Sequence, residues 1–249
     1  MCQMLGLSYV VPTPWGKVWN IFRRRAESNP HGWGVAFGDS NGLAVVKEPV
    51  RADTSPLAAV FGRTTPPASV MIGHIRFLTR GRTALVNTHP FVVRVNDRDW
   101  AMVHNGSLHG YGYDARQQGE TDSEAFFLRL TDQLFMVDSA DPYTTAEVVA
   151  GEARRAGRCG KLNIILTDGK CLYVHTNAPG TLHRLQSPKG ILFCTQPLNA
   201  QRGWLSVEPY RVHVYRAGEF IYRSNNYDFG GVARAKGKIV FPTYIQGAR

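Results

Sequence analysis

The chain has 249 residues, a formal net charge of +10 and only four cysteines. A chain of this length can bury a substantial core, as one large domain or two small ones. No apolar run is long enough for a membrane span, and residues 1–11 lack the basic start and long apolar stretch of a signal peptide. Cysteines without close pairs argue against a disulfide framework. We therefore expect a soluble cytoplasmic protein with no membrane partner.

The positive charge is scattered along the chain. Arginines cluster at 23–25, at 76–82 and at 154–158, but none of these groups forms a long tract or accompanies a nucleic-acid-binding motif. A solvated basic face explains this pattern better than a nucleic-acid surface does, and attraction of an anionic substrate or partner stays open. We expect no nucleic-acid partner.

The first predicted elements are two buried strands. The apolar stretches Ser69–Arg76 and Trp100–His104 have the composition of strands, and Asn105–Gly106 predicts a sharp turn directly after the second. Asparagine and glycine both tolerate the left-handed conformation that such a turn needs.

Two helices follow. Thr121–Glu124 (Thr-Asp-Ser-Glu) supplies an N-cap hydroxyl and a glutamate three residues later, as in a capping box. Phe126, Leu130 and Leu134 continue from it at helical spacing. A second helix is predicted from about Thr144 to Arg155, ending at the next glycine.

The C-terminal third predicts two hairpins. Each consists of two apolar segments around a two-residue turn: Lys161–Thr167 and Lys170–Thr176 around Asp168–Gly169, and Arg211–Arg216 and Glu219–Arg223 around Ala217–Gly218. Strands outnumber helices, so the predicted class is α+β.

The second residue of the chain is a cysteine. If Met1 is removed, which a small second residue permits, Cys2 carries both a thiol and a free α-amine. The reference pKa of the amine lies near ~8 and that of the thiol near ~8.5, so the amine can accept the thiol proton close to neutral pH. This is the arrangement of an N-terminal nucleophile, although Cys2 alone is equally consistent with chance.

Other short segments bear on this question. They are His31–Gly34 (HGWG), Gly73–Arg80 with Asn87–Phe91 (GHIRFLTR and NTHPF), Val103–Ser107 (VHNGS) and Thr121–Glu124 (TDSE). Taken singly, each has a structural explanation: close packing around an aromatic ring, a loop before proline, a turn, or a helix cap.

Together, in this order behind Cys2, the segments resemble the class II glutamine amidotransferases, N-terminal-nucleophile hydrolases that split the γ-amide of glutamine. The likeness continues into Cys194–Leu198 (CTQPL) and Trp204. The chain is most similar to stand-alone members, which include γ-glutamyl amidohydrolases of ergothioneine biosynthesis and glutathione degradation. The resemblance implies a four-layer αββα sandwich, a single domain over residues 1–249 that begins at Cys2 when mature, and neither a metal nor an organic cofactor.

The resemblance also implies roles for individual residues. Cys2 attacks the carboxamide carbon and forms a γ-glutamyl thioester, while its own amine moves the proton. The Asn105 side chain and the Gly106 N–H stabilise the oxyanion. Arg76 grips the α-carboxylate of the substrate, and Asp122 accepts hydrogen bonds from its α-ammonium group.

Four further residues are assigned to substrate binding on the same resemblance. Phe77 and Thr79 belong to the loop that folds over bound glutamine, His89 braces that loop, and Trp33 lies in the Gly-Trp-Gly segment. The substrate is expected to be glutamine or another γ-glutamyl small molecule.

Two positions depart from the family pattern. His31 stands where many relatives carry an acidic residue, and Arg80 stands where synthase-type domains carry a histidine. Arg80, with Arg82, predicts a cation at the pocket mouth that would suit a substrate with a second anionic group. The basic tail from Arg234 onward has no assigned role.

Other interpretations stay open on the sequence alone. The protein could be the glutaminase subunit of a complex that passes ammonia to a synthase. A penicillin-acylase or bile-salt-hydrolase type of amidase also begins Met-Cys, but it needs no clamp for a zwitterion. A metal site built from His74, His89, His104 and His109 matches no usual zinc spacing. A non-enzymatic basic binding module is the last alternative, and the oligomeric state is not determined.

Overall fold

The framework of the protein is a pair of antiparallel β-sheets. It is seen in a computed structural model that describes residues 1–39 and 42–227, with the backbone alone at residues 234–235 and 238–239. The strands are β1 (Gln3–Pro14), β2 (Trp33–Asp39), β3 (Gly42–Glu48), β4 (Pro67–Ile75), β5 (Phe91–Val95), β6 (Arg98–Leu108), β7 (Gly160–Thr167), β8 (Cys171–Thr176), β9 (His183–Ser187), β10 (Gly190–Cys194), β11 (Leu205–Ser206), β12 (Val212–Arg216), β13 (Glu219–Arg223), β14 (Arg234–Ala235) and β15 (Lys238–Ile239). The helices are α1 (Gly16–Phe22), α2 (Pro56–Arg63), α3 (Asp122–Phe135) and α4 (Pro142–Ala156), with short 3-10 turns at Arg23–Glu27, Leu85–Asn87 and Gly157–Cys159.

Sheet A contains seven strands in the order β11-β9-β10-β1-β4-β2-β3, and sheet B contains six in the order β13-β12-β8-β7-β6-β5. A separate two-stranded pair joins β14 and β15. β1 therefore lies in the middle of sheet A, between β10 and β4, so the start of the chain is held on both sides.

Three clusters of buried side chains separate the protein into layers. The cluster between the sheets contains Met4 and Ile72 from sheet A and Val103 and Ile165 from sheet B. A second cluster joins the outer face of sheet A to α1 and α2, and a third joins the outer face of sheet B to α3 and α4. The order helix, sheet, sheet, helix confirms the expected αββα sandwich.

The alternation of side chains along β6 decides which residues enter the space between the sheets. Ala101 and Val103 belong to the inter-sheet cluster, whereas Met102 belongs to the cluster beneath the helices. Because successive side chains point to opposite faces of a strand, Asn105 and Ser107 continue the inter-sheet face. The interior of the sandwich thus becomes polar at the end of β6.

The predicted turn at Asn105–Gly106 is wrong. β6 continues through both residues to Leu108, and Gly106 pairs with Leu162 of β7. A β-carbon on Gly106 would lie 1.8 Å from the carbonyl oxygen of Lys161. The glycine is needed because the two strands approach closely, and not because the chain reverses.

The other predicted elements are confirmed. Both C-terminal hairpins form, as β7 with β8 and β12 with β13. The second helix begins two residues before the predicted start, at Pro142, because Asp141 caps its first amides. The capping box is half formed: Thr121 accepts from the Glu124 amide, but the Glu124 carboxylate instead accepts from the amides of Gln118 and Gly119.

Five buried histidines make stability sensitive to acid. Burial lowers the pKa of His74 to about 3 and that of His175 to about 4, and it also holds the pKa of His89, His104 and His213 below the ordinary value. An unfolded histidine takes up a proton as the pH falls below ~6.5 while the folded one stays neutral, so the unfolded state binds more protons.

We therefore expect the free energy of unfolding to be fully retained above the unfolded pKa and to fall as the pH drops below it, by up to about 1.4 kcal/mol per pH unit for each histidine. Urea unfolding at a series of pH values measures this slope. A His175→Gln variant, which keeps a polar side chain beside the Tyr227 hydroxyl, should show a shallower slope. The same slope in the wild-type protein and the variant would show that His175 does not contribute to the acid sensitivity.

Candidate active site

Cys2 lies directly before β1 at the polar end of the space between the sheets. Its Sγ is 3.3 Å from both the amide nitrogen and the carbonyl oxygen of Phe77. Burial raises the pKa of the thiol, while the Phe77 backbone, the N-terminal charge and the Arg76 guanidinium act in the opposite direction. The thiol therefore lies between a preformed backbone contact and a nearby cation.

Asn105 connects sheet B to this cysteine. Its Nδ2 donates to the carbonyl oxygen of Cys2 at 2.7 Å and is 3.5 Å from the Thr195 hydroxyl, which in turn accepts from the Met4 amide. The Asn105 side chain is 2% exposed, so the amide is held in place. Gly106 follows it along the same strand.

A cavity of about 230 Å³ opens beside the thiol. It is lined by Met1, Cys2, Thr79, Asn105, Gly106, Ser107, His109, Gly160 and Lys161. The structure thus brings Cys2, Thr79, Asn105 and Gly106 together around one space. Arg80 and Arg82 are exposed and do not line this cavity, whereas Lys161 does.

Arg76 is 3% exposed and holds the loop that follows β4. Its Nη1 donates to the Arg82 carbonyl at 2.9 Å and its Nη2 donates to the Arg80 carbonyl at 2.8 Å. Burial lowers the pKa of the guanidinium, and the nearby Cys2 and Glu120 raise it. The loop-bracing contact that the sequence suggested for His89 is made here by Arg76.

Asp122 joins the end of β6 to the start of α3. Its Oδ2 accepts from the Leu108 amide at 2.6 Å, and its Oδ1 accepts from the Ser123 amide at 3.0 Å. The carboxylate is therefore fixed at a helix N-terminus, where the helix dipole favours a negative charge. It lies outside the lining of the cavity, as Arg76 does.

Sequence reasoning missed the role of His31. Its backbone N–H donates to the Arg76 carbonyl at 3.1 Å, its Nδ1 accepts from the Leu78 amide at 3.1 Å, and its ring meets that of Phe77 edge to face. His31 thus fixes the segment that carries the backbone contact to the thiol. The departure from the family pattern at this position was the available signal.

Two predicted substrate-binding residues lie in the interior. Trp33 has no exposed surface; its Nε1 donates to the Glu48 carboxylate at 3.0 Å and its ring packs on Trp19. The His89 ring packs 4.2 Å from that of His74, and neither of its nitrogens has a hydrogen-bond partner among the residues that the structure describes. Neither side chain lines the cavity.

Of the four histidines considered as metal ligands, His74 and His89 lie ring against ring, while the other two make separate contacts. The imidazole of His104 contacts the Ser123 hydroxyl at 2.7 Å and the Lys161 carbonyl at 3.3 Å, while His109 lies at the exposed end of the cavity. Within residues 1–39 and 42–227, no cluster of three histidine, cysteine or acidic side chains has the geometry of a metal site.

Two other expectations concern the chain as a whole. The described helices include none long and apolar enough to cross a membrane. The basic tail from Arg234 has no described side chains.

Comparison with known proteins identifies the family of the chain. The sequence model of the class II glutamine amidotransferases matches residues 1–190. YafJ of Escherichia coli, named as a candidate glutamine amidotransferase, is 30% identical over 88% of this chain and 99% of its own length. An uncharacterized protein of Methanocaldococcus jannaschii is 29% identical over 89% of this chain and 71% of its own length.

Solved structures share the fold. A Pseudomonas aeruginosa protein described as a predicted glutamine amidotransferase superposes with a TM-score of 0.66 at 22% identity, covering 89% of this chain and 100% of that one. The glutamine phosphoribosylpyrophosphate amidotransferase of B. subtilis gives a TM-score of 0.61 at 14% identity, over 90% of this chain and 49% of that chain. With the family match over most of its length, the chain belongs to the class II glutamine amidotransferases.

Proposed function

We propose that the protein hydrolyses the γ-amide of glutamine or of another γ-glutamyl compound through a thioester on Cys2. The observation that carries this proposal is the contact between Asn105 Nδ2 and the Cys2 carbonyl at 2.7 Å, beside a small cavity that both residues line. A thiol, an amide donor and a glycine N–H on one cavity are the parts needed for attack on a carboxamide.

The reaction proceeds in two steps. Cys2 Sγ attacks the carboxamide carbon, and the thiol proton passes through the Cys2 α-amine to the leaving nitrogen, which departs as ammonia or an amine. Water then attacks the thioester, releases glutamate and restores the thiol. The base exists only when Met1 has been removed, because the nitrogen of Cys2 is otherwise an amide without basicity.

The oxyanion of each tetrahedral intermediate is stabilised by Asn105 and Gly106. The Asn105 carboxamide nitrogen carries two hydrogens: one is donated to the Cys2 carbonyl, and the other makes only the 3.5 Å contact with the Thr195 hydroxyl, which the oxyanion replaces. The Gly106 N–H supplies the second donor. Both groups belong to a strand paired on its far side with β7, so they need little reorganisation when charge develops.

Arg76 and Asp122 recognise the zwitterionic end of the substrate. The loop carbonyls accept two of the five N–H groups of Arg76, which leaves donors for an α-carboxylate. Asp122 accepts from the α-ammonium group. Thr79 and Phe77 contact the substrate from the loop, and the buried His89 and Trp33 support the surrounding strands. The leaving ammonia either enters solvent or passes to a synthase partner.

Replacing Cys2 with alanine should abolish glutamate release, because no other group on the cavity can form the thioester. The measurement is glutamate release from glutamine and from a panel of γ-glutamyl amides, with the intact mass of each sample recorded to establish whether Met1 is absent. Cys159→Ser, at another partly exposed thiol, is the matched control and should keep its activity. Release that persists in Cys2→Ala would overturn the proposal.

Replacing Asn105 with alanine should lower kcat by about 10²–10³, because one oxyanion donor is lost. Asn105→Asp is the sharper variant, since it keeps the size of the side chain while replacing the donor with an acceptor, and it should lose at least as much. Thermal unfolding of both variants shows whether loss of the bond to the Cys2 carbonyl has also lowered the stability of the protein. A kcat close to that of the wild-type protein, in a folded variant, would contradict the role.

Replacing Asp122 with asparagine should raise KM for glutamine by about tenfold to a hundredfold, the value of a hydrogen bond to a charged group. The amide oxygen can still accept from Leu108, so the join between β6 and α3 is kept. Asp132→Asn, on the exposed part of the same helix, is the control. An unchanged KM would show that the α-ammonium group is bound elsewhere.

A further inference from the structure

Lys161 is a cation of the cavity to which neither the family resemblance nor the proposed chemistry gives a role. It lies near the start of β7, pairs with Ser107 of β6 and lines the cavity beside Cys2, Asn105 and Gly106. Its Nζ lies 3.7 Å from the sulfur of Met1. Met1 itself lines the cavity, so its removal enlarges the space that this ammonium group faces.

Lys161 has no carboxylate partner among the residues that the structure describes. Burial lowers the pKa of the ammonium group, and the charge of a Cys2 thiolate opposes this effect. No carboxylate of residues 1–39 and 42–227 forms an ion pair with it. A partly desolvated cation without a counter-ion is unfavourable unless a ligand supplies the negative charge.

The charges of the substrate indicate which of its groups could bind Lys161. The α-carboxylate of a γ-glutamyl group is assigned to Arg76, which does not line this cavity. Ammonia, the leaving group of glutamine, carries no anion. A second cation beside the nucleophile therefore matches a second carboxylate, and such a group can come only from the amine half of the substrate.

We propose that Lys161 binds a carboxylate on the leaving amine, so that the preferred substrates are γ-glutamyl amides of amino acids or peptides. This inference rests on the proposed hydrolase function and names its substrate class. The Lys161 ammonium forms a charge-assisted hydrogen bond with the carboxylate. This contact orients the scissile amide toward Cys2 Sγ, with the Ser107 side of β6 forming the adjacent wall of the cavity.

The first test compares two substrates that differ in the carboxylate alone. The kcat/KM for γ-glutamylglycine is divided by that for γ-glutamylmethylamide, in the wild-type protein and in Lys161→Met. We expect this ratio to fall about tenfold in the variant, as for loss of one charge-assisted contact. Lys161→Arg should restore most of the ratio, and Lys170→Met, in the turn between β7 and β8, should leave it unchanged.

An unchanged ratio in Lys161→Met would overturn the proposal, even if both rates fall, because Lys161 would then act on Cys2 and not on the substrate. If the wild-type protein cleaves neither compound nor glutamine, the hydrolase function itself fails.

A second test shows whether Lys161 attracts an anion, and it requires no turnover of substrate. Cys2 is alkylated with iodoacetate or with iodoacetamide, two reagents that differ in charge, and the rate at Cys2 is followed by peptide mass spectrometry. The ratio of the iodoacetate rate to the iodoacetamide rate should fall about tenfold in Lys161→Met and not in Lys170→Met. Equal ratios in wild type and Lys161→Met would refute an anion site at Lys161, whatever the activity of the enzyme.

Discussion

The hydrogen bond from Asn105 to the Cys2 carbonyl is the interaction on which the site depends. It joins the end of a strand in sheet B to the residue that directly precedes β1 of sheet A, across the space between the two sheets. It can form because the side chains on the inner face of β6 change from apolar at Val103 to polar at Asn105. The same change leaves the sandwich open to a small cavity at this end, while its middle stays packed.

A second constraint is the segment that follows β4. Arg76 holds it from within through the carbonyls of Arg80 and Arg82, and His31 holds its start through the Arg76 carbonyl and the Leu78 amide. The Phe77 backbone is thereby fixed against the thiol. Since Arg76 is also the residue proposed to bind the α-carboxylate, binding of substrate and order of this segment depend on one guanidinium group.

The ionisable side chains around Cys2 differ in burial and in charge. The histidines behind the strands are buried and remain neutral, whereas two cations, Arg76 and Lys161, lie close enough to act on the thiolate. Burial opposes ionisation of the thiol, and the N-terminal charge and Arg76 favour it. The proposed mechanism needs this balance, because the proton must be held loosely enough to reach the α-amine of the mature chain.

The sequence by itself determined the family, the order of the site motifs, both C-terminal hairpins and the cap of α3, because these depend on local spacing and turn chemistry. Which face of a strand a residue occupies, and what lies across from it, depends on packing between distant segments. Only the tertiary structure therefore showed that Gly106 serves close strand pairing, that Trp33 is in the core, and that His31 anchors the loop. For the same reason only the fold revealed Lys161 as a second cation beside Cys2, since 159 positions of sequence separate two residues that share one cavity.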